Sequence, residues 1–276
     1  MSHISTSGCQ TAHEEKRQMN ADHLKQLGEA GWIVGPDESK QGFIKRIKKQ
    51  RSFAKENLES IEAHPKVIQI MQRKLGVYPS WIQVRYSNRG LNLWEGAASW
   101  ITEYGNWIQL RRAFRKGRFL GYQKEEVILH EAVHSVRCAF EEPRFEEILA
   151  HIFAKKKWRR YLGPLFTTPR QAYLFLFTLC FTCFIPLVPS IYLFYSIGRL
   201  MWNQYTFKKA LKNIERFFPN ASSHGIALRL TDTEIQLFAH QKEGAIRTYM
   251  HSAMHTLRWQ QLQANFGAFP LTSDFR

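Results

Sequence analysis

Cysteine is scarce. Four cysteines in a chain of 276 residues cannot form the disulfide framework on which small secreted scaffolds depend, and that class is excluded. Cys9 lies in a polar N-terminus, Cys138 near the middle of the chain, and Cys180 and Cys183 in its most apolar run. The last two have CxxC spacing. Neither a second pair nor an electropositive setting accompanies them, so burial as small hydrophobes is expected rather than a zinc ribbon or a redox motif. The N-terminus, MSHISTSGCQTAHEEKRQMN, lacks the basic-then-apolar pattern of a secretory signal, and export of the N-terminal half is not expected. Acidic residues are also few, 23 against 39 lysines and arginines, for a formal net charge of +16. Such an excess calls for a polyanionic neighbour, nucleic acid or an anionic membrane face. Finger, RNP and phosphate-loop motifs are all missing, which leaves nucleic acid resting on charge alone and disfavours it.

Residues 1–20 are polar and expected to be disordered. From 21 to about 73 the pattern is helical with interruptions, and Lys45, Arg46, Lys48, Lys49, Arg51 and Lys55 give it a basic face. After Pro79 come WIQVRYS, AASWIT and WIQLRR, short runs rich in aromatic and β-branched residues and separated by turn residues. They predict a small antiparallel sheet. Residues 203–276 return to amphipathic patterning, with an N-cap at Thr231 or Thr233, and predict a helical C-terminal region.

Between these parts, residues 172–201 hold a single formal charge, Arg199. The run exceeds the roughly 20 residues a helix needs to cross a bilayer, so a transmembrane segment is expected. Pro186 and Pro189 divide it, and basic residues flank it on both sides, from Lys155 to Arg160 and at Arg199, Lys208, Lys209 and Lys212. The positive-inside rule then favours a helical hairpin over one kinked span. On this reading the protein sits at a membrane with its catalytic part on the cytoplasmic side and the lipid bilayer as a partner.

The stretch EEVILHEAVHSVRCAFEEPRFEEILAHIFA, residues 125–154, carries the chemistry. Residues four apart stand on one helix face, so His130 and His134 can offer nitrogens to one cation. Glu131 lies about 100° round the axis, where it can reach a water without ligating the metal. Leu129, Val133, Val136 and Phe140 form an apolar stripe for the core side. Catalytic zinc takes three protein ligands and one open position. Glu141 is seven residues past His134 and too far along the same axis, so the chain has to turn back, and Pro143 can start a second helix. Its first turns bring Glu146 and Glu147 opposite the histidines. The small residues Ala150 and Ala154, three and seven after Glu147, favour Glu147 as third ligand. Glu146 is the rival, and His151 is either a ligand or a partner of the carboxylate.

A HEAVH helix preceded by a small sheet, and followed after a turn by EEILAHIFA, resembles the HExxH metallopeptidases of the zincin class. It is most similar to the gluzincin arrangement, and E-x-x-A-x-x-F-A at 147–154 resembles the third-ligand helix of ImmA/IrrE-type metallopeptidases. The resemblance covers about residues 77–160. It implies an α+β, zincin-like catalytic domain that binds Zn2+ and hydrolyses a protein or peptide substrate, here in a juxtamembrane segment, with Glu131 as general base. WIQLRR would receive the extended substrate by edge pairing, and Tyr122, Tyr161 and His151 are candidates for stabilising the oxyanion. The alternative is a non-catalytic, membrane-associated binding or scaffolding protein of the same fold, which would have no need of Glu131.

Overall fold

A computed structural model describes residues 20–267 except 54–57, 93–94, 181, 183–184 and 186. Helix α1 (Ala21–Glu29) starts at Asn20 and α2 (Lys40–Ser52) at Ser39, each cap side chain accepting a first-turn backbone N–H. A short strand β1 (Glu59–Ser60) precedes α3 (Pro65–Leu75), which has proline in its first turn and ends at Gly76, φ 66°, in the left-handed conformation that glycine adopts without strain. Strands β2 (Gln83–Tyr86), β3 (Ala97–Ile101) and β4 (Asn106–Leu110) follow. A two-stranded ribbon, β5 (Arg118–Phe119) and β6 (Tyr122–Gln123), leads directly into α4 (Lys124–Val136). Next come α5 (Pro143–His151), α6 (Lys157–Leu162), α7 (Pro169–Cys180) and the long α8 (Leu187–Phe217). The described chain closes with α9 (Ser223–Ala227), α10 (Asp232–His240), α11 (Glu243–Ala253) and α12 (Leu257–Phe266).

The architecture is α+β, but the sheet is mixed where an antiparallel one was expected. Its order is β1-β2-β4-β3, with β2 parallel to β4 and the other neighbours antiparallel. Three similar apolar runs cannot reveal this order, because the crossover depends on the path between Tyr86 and Ala97. The burial records the result: all five residues of β4 are buried, as befits a central strand, whereas edge strand β3 is only partly covered. The expected zincin-like domain is therefore corrected to an α+β fold with a small mixed sheet.

One apolar core runs from the N-terminal half into the C-terminal helices. Val67 and Met71 of α3, Ile108 of β4, Val133 of α4, Ile214 of α8 and Phe238 of α10 all belong to it. Two polar side chains fasten the ends together. Arg229 donates to the Gly28 carbonyl at 3.0 Å, and Gln261 accepts from the Val34 N–H at 3.0 Å while donating to the Trp32 carbonyl at 2.8 Å. Thr231 is the N-cap of α10 and forms a full capping box with Glu234.

Among the described residues no helix is long and apolar enough to cross a membrane. This overturns the expected transmembrane segment or hairpin, and with it the membrane localisation and the cytoplasmic placement deduced from flanking charge. The apolar run is shared between two helices. With 12 residues, α7 is about 18 Å long, against a hydrocarbon thickness of about 30 Å. The 31 residues of α8 reach much further, but beyond Gly198 the helix turns Leu200, Phe207, Ala210 and Ile214 into the protein core and carries Lys208, Lys209 and Lys212. Pro189 sits in the first turn of α8, where a missing backbone N–H interrupts nothing. Leu176, Phe177, Ile191, Phe194 and Tyr195, on α7 and the first half of α8, are exposed. Cys180 is exposed as well, contrary to the burial expected of it, while Cys9, Cys183, Pro186 and Lys55 lie outside the described residues.

Candidate metal centre

Helix α4 has a core side and a site side. Leu129, Val133, Val136 and, just beyond the helix, Phe140 are buried as the stripe predicts, and His130 and His134 leave on the other side. The chain turns between Arg137 and Glu142 and restarts at Pro143. A residue from far along the chain holds that restart. Asp232 accepts from the backbone N–H groups of Arg144 at 3.1 Å and Phe145 at 3.2 Å, capping α5 with an anion at its positive end.

The turn brings His130, His134, Glu147 and His151 into one cluster. His134 Nε2 lies 3.3 Å from His130 Nε2 and 3.4 Å from Glu147 Oε1, and His130 Nε2 lies 3.8 Å from Glu147 Oε2. Donors bonded at about 2.0–2.1 Å in a tetrahedral zinc site stand about 3.3 Å apart, the spacing of the His130–His134 and His134–Glu147 pairs, while the other Glu147 oxygen faces His130. Ligand atoms of His130, Glu147 and His151 also lie within 4.8 Å of one another. His151 is committed elsewhere at one nitrogen, since its Nδ1–H donates to the Glu147 carbonyl at 2.8 Å. Its other face packs on Gly163, where an added Cβ would fall 2.2 Å from Nε2.

Glu146 and Glu147 approach the cluster differently because neighbours on a helix point about 100° apart. While Glu147 faces the two Nε2 atoms, Glu146 reaches behind His134 and accepts from its Nδ1–H at 2.6 Å. The second Glu146 oxygen accepts from Arg137 Nε at 3.0 Å. Arg137 is fully buried and stacked on Phe140, and its Nη1 donates to the Leu228 and Leu230 carbonyls at 2.7 and 3.1 Å. A carboxylate behind a histidine fixes the tautomer and leaves the Nε2 lone pair for a cation.

The electrostatics follow from burial. In the chain alone, burial and the neighbouring His134 and His151 push His130 well below its ordinary value, keeping it neutral. For His134, burial is outweighed by the Glu146 hydrogen bond and the Glu147 and Glu131 charges, which raise it to about 9. Burial raises Glu131 to about 7, with the Glu147 charge adding to it and His134 and the Ser99 backbone N–H opposing. A carboxylate near neutrality can both take up and return a proton.

Beside the cluster lies a cavity of about 300 Å³ whose wall includes His130, Glu131, His151 and Tyr122. Gly96 and Ala97, at the start of edge strand β3, form part of its rim. The edge pairing expected of WIQLRR is thus corrected, since β4 already has partners on both sides and the free edge belongs to β3. Arg111 spends its charge on the Glu95 and Asn92 carbonyls. Of the oxyanion candidates, Tyr161 is exposed and outside the cavity wall, and the ring of Tyr122 lies 3.6 Å under the Arg159 guanidinium. Arg137, Asp232 and Arg159 are absent from the sequence reading. Only the run KKKWRR hints at Arg159, and charge alone does not single it out. No family model matches the chain, and no curated protein or solved structure matches it either.

Proposed function

We propose that this chain is a zinc-dependent peptidase in which His130, His134 and Glu147 hold the metal and Glu131 is the general base. The observation that carries the reading is the gathering of two imidazole nitrogens and one carboxylate at 3.3–3.8 Å, beside a cavity that also exposes Glu131. When bound, zinc supplies Lewis-acid chemistry, acidifying a water and polarising a carbonyl. The side chains do the rest. Glu131 accepts the proton of the attacking water at its carboxylate and returns it to the leaving amine, a role suited to a group held near 7 by burial. Glu146 fixes the His134 ring, and Arg137 fixes Glu146. The partner is a protein or peptide segment lying along the β3 edge and in the cavity.

A second reading makes the cluster a closed, structural site with His151 as fourth donor, favoured by the grouping of His130, Glu147 and His151. The Nδ1–H of His151, donated to the Glu147 carbonyl, leaves its Nε2 for a cation and is compatible with this reading; Glu131, for which a structural site has no need, counts against it. Zinc content by plasma mass spectrometry on wild type, Glu147→Ala and Glu146→Ala, with peptide cleavage by zinc-loaded Glu131→Gln, separates the two. The expected result is about one zinc per chain, lost in Glu147→Ala, and a cleavage rate lowered about 10²- to 10⁴-fold by Glu131→Gln with the metal retained. A wild type free of zinc would sink both readings, and zinc without cleavage would leave the structural one.

A further inference from the structure

The turn between β5 and β6 holds a residue for which neither backbone preference nor burial accounts. Phe119 pairs with Tyr122, so the ribbon reverses on Leu120 and Gly121, both at positive φ, 47° and 75°, as a two-residue type I′ turn requires. Glycine, asparagine and aspartate enter that region readily. Leucine does not, because its Cβ crowds the following carbonyl oxygen. Among the described residues Leu120 is the one non-glycine position with a positive φ. Burial does not offset the strain, since the residue is 68% exposed. The other side of the turn holds it in place: the Gly121 carbonyl accepts from Arg159 Nη2 at 3.2 Å, and the Arg159 guanidinium lies over the Tyr122 ring, 3.6 Å from its centre. Strained residues fixed in this way by their surroundings cluster at sites that clamp ligands.

Leu120 lines the cavity that also exposes His130 and Glu131, and with Phe114, Phe119, Val127, Trp158 and Leu162 it makes most of the wall apolar. Apart from Glu131 and the two histidines, the charged residues of the wall are Glu126 and Arg159. Both are buried, and they face each other at 3.7 Å, where each charge offsets the other. Apolar contact is therefore what this space can select on. At about 300 Å³ it is at the small end of ligand pockets, which run from about 300 to 1,000 Å³, room for one large side chain rather than an extended segment. We infer that the cavity receives a large apolar side chain of the substrate, next to the bond presented to Glu131, and that Leu120 is the specificity-determining residue that contacts it. The inference rests on the peptidase reading and names its substrate class. An exposed leucine gains from shedding its water onto an apolar ligand, which an asparagine in the same turn does not.

NMR titration of the full chain, carbon-13 labelled at its leucine methyl groups, tests this with N-acetylphenylalaninamide, N-acetylglutaminamide and N-acetylglycinamide. The phenylalanine probe is expected to bind at least about tenfold more tightly than the other two, the gain from burying a large apolar side chain. It is also expected to shift the Leu120 methyl signals, which are identified by their absence from Leu120→Asn. That variant is expected to lower the preference at least about threefold while its urea midpoint stays unchanged or rises, because asparagine tolerates positive φ. Leu120→Met, close in volume, is expected to keep most of the preference. No binding or no preference in the wild type would overturn the inference, as would a preference that Leu120→Asn leaves unchanged. A midpoint lowered by Leu120→Asn would also overturn it, by making Leu120 a packing residue of the fold. None of these measurements requires cleavage. A zinc-free or inactive chain with the preference intact would end the peptidase reading alone, and an active chain without the preference would end this inference alone.

Discussion

Two helix pairs in this chain place opposite chemistry in opposite settings. The pair α4–α5 turns three histidines and four glutamates of its own toward partners inside the fold or the cavity wall, whereas α7 and the first half of α8 turn leucine, isoleucine and phenylalanine outward. Each pair has a proline in the first turn of its second helix, Pro143 and Pro189, so the difference does not come from how the chain reverses. It comes from what each helix is fastened to. Buried polar groups persist only where something answers them. Around α4–α5, Arg137 and Asp232 do so, and the Nε2 atoms of His130 and His134 face one another at 3.3 Å. Exposed apolar groups are tolerated where the rest of the element is well anchored. The second half of α8, packed against α10, supplies that anchorage.

The comparison breaks first along α8 itself. Ile214 is fully buried in the anchoring half, so Ile214→Ala is expected to lower unfolding stability by about 2–5 kcal/mol, transfer and cavity costs together. Urea denaturation measures it. A loss below about 1 kcal/mol would show that the second half of α8 does not hold the helix in place.

A smaller effect is expected behind the His130–His134–Glu147 cluster. Glu146→Gln keeps an acceptor for His134 Nδ1–H but loses the charge and weakens the pairing with Arg137. Zinc affinity should fall about 10- to 100-fold, the usual cost of a lost carboxylate behind a ligating histidine. Competition with a chelator of known affinity measures it, and an unchanged affinity would remove Glu146 from the site.

Smaller still is a pH effect at the cap of α5. Burial raises Asp232 to about 6 from its usual 3.8, against the opposing backbone hydrogen bonds from Phe145 and Arg144. A carboxyl raised on folding contributes stability that is fully present below its unfolded value and lost as pH rises through its folded one. The stability difference between wild type and Asp232→Asn should therefore decline between about pH 4 and 6 and level off above. Denaturation series across that window check it, and a flat difference would contradict the assignment. The smallest change is expected on the outward half of α8. Phe194 is 73% exposed, and Phe194→Ser should shift stability by no more than about 0.5 kcal/mol. A larger loss would mean that this face is packed after all.

Different parts of the chain were legible to different degrees. His130 and His134 meet because a helix repeats every 3.6 residues, a local fact that needs no tertiary information. The reversal at Pro143 was also local, and it brings Glu147 against both histidines. Glu146 was visible only as a rival ligand. Its contact with Arg137 depends on carbonyls at Leu228 and Leu230, about ninety residues away in sequence. The apolar run misled for a related reason. Hydropathy averages over residues and does not show that the run is divided between α7, which ends at Cys180, and α8, which begins at Leu187.

What the sequence by itself determined is therefore local: the helix carrying HEAVH, its apolar stripe, the turn at Pro143, the cap at Thr231, and the absence of a disulfide framework. Tertiary structure alone decided that β4 lies inside the sheet, that Asp232 and Arg137 brace the His130–His134–Glu147 cluster, that Arg159 lines the cavity, and that no described helix is long and apolar enough to cross a membrane. The physical reason is common to all four. Periodicity and capping act over a few residues of contiguous chain. Burial, desolvation and hydrogen-bond satisfaction depend on which distant segments the fold brings together.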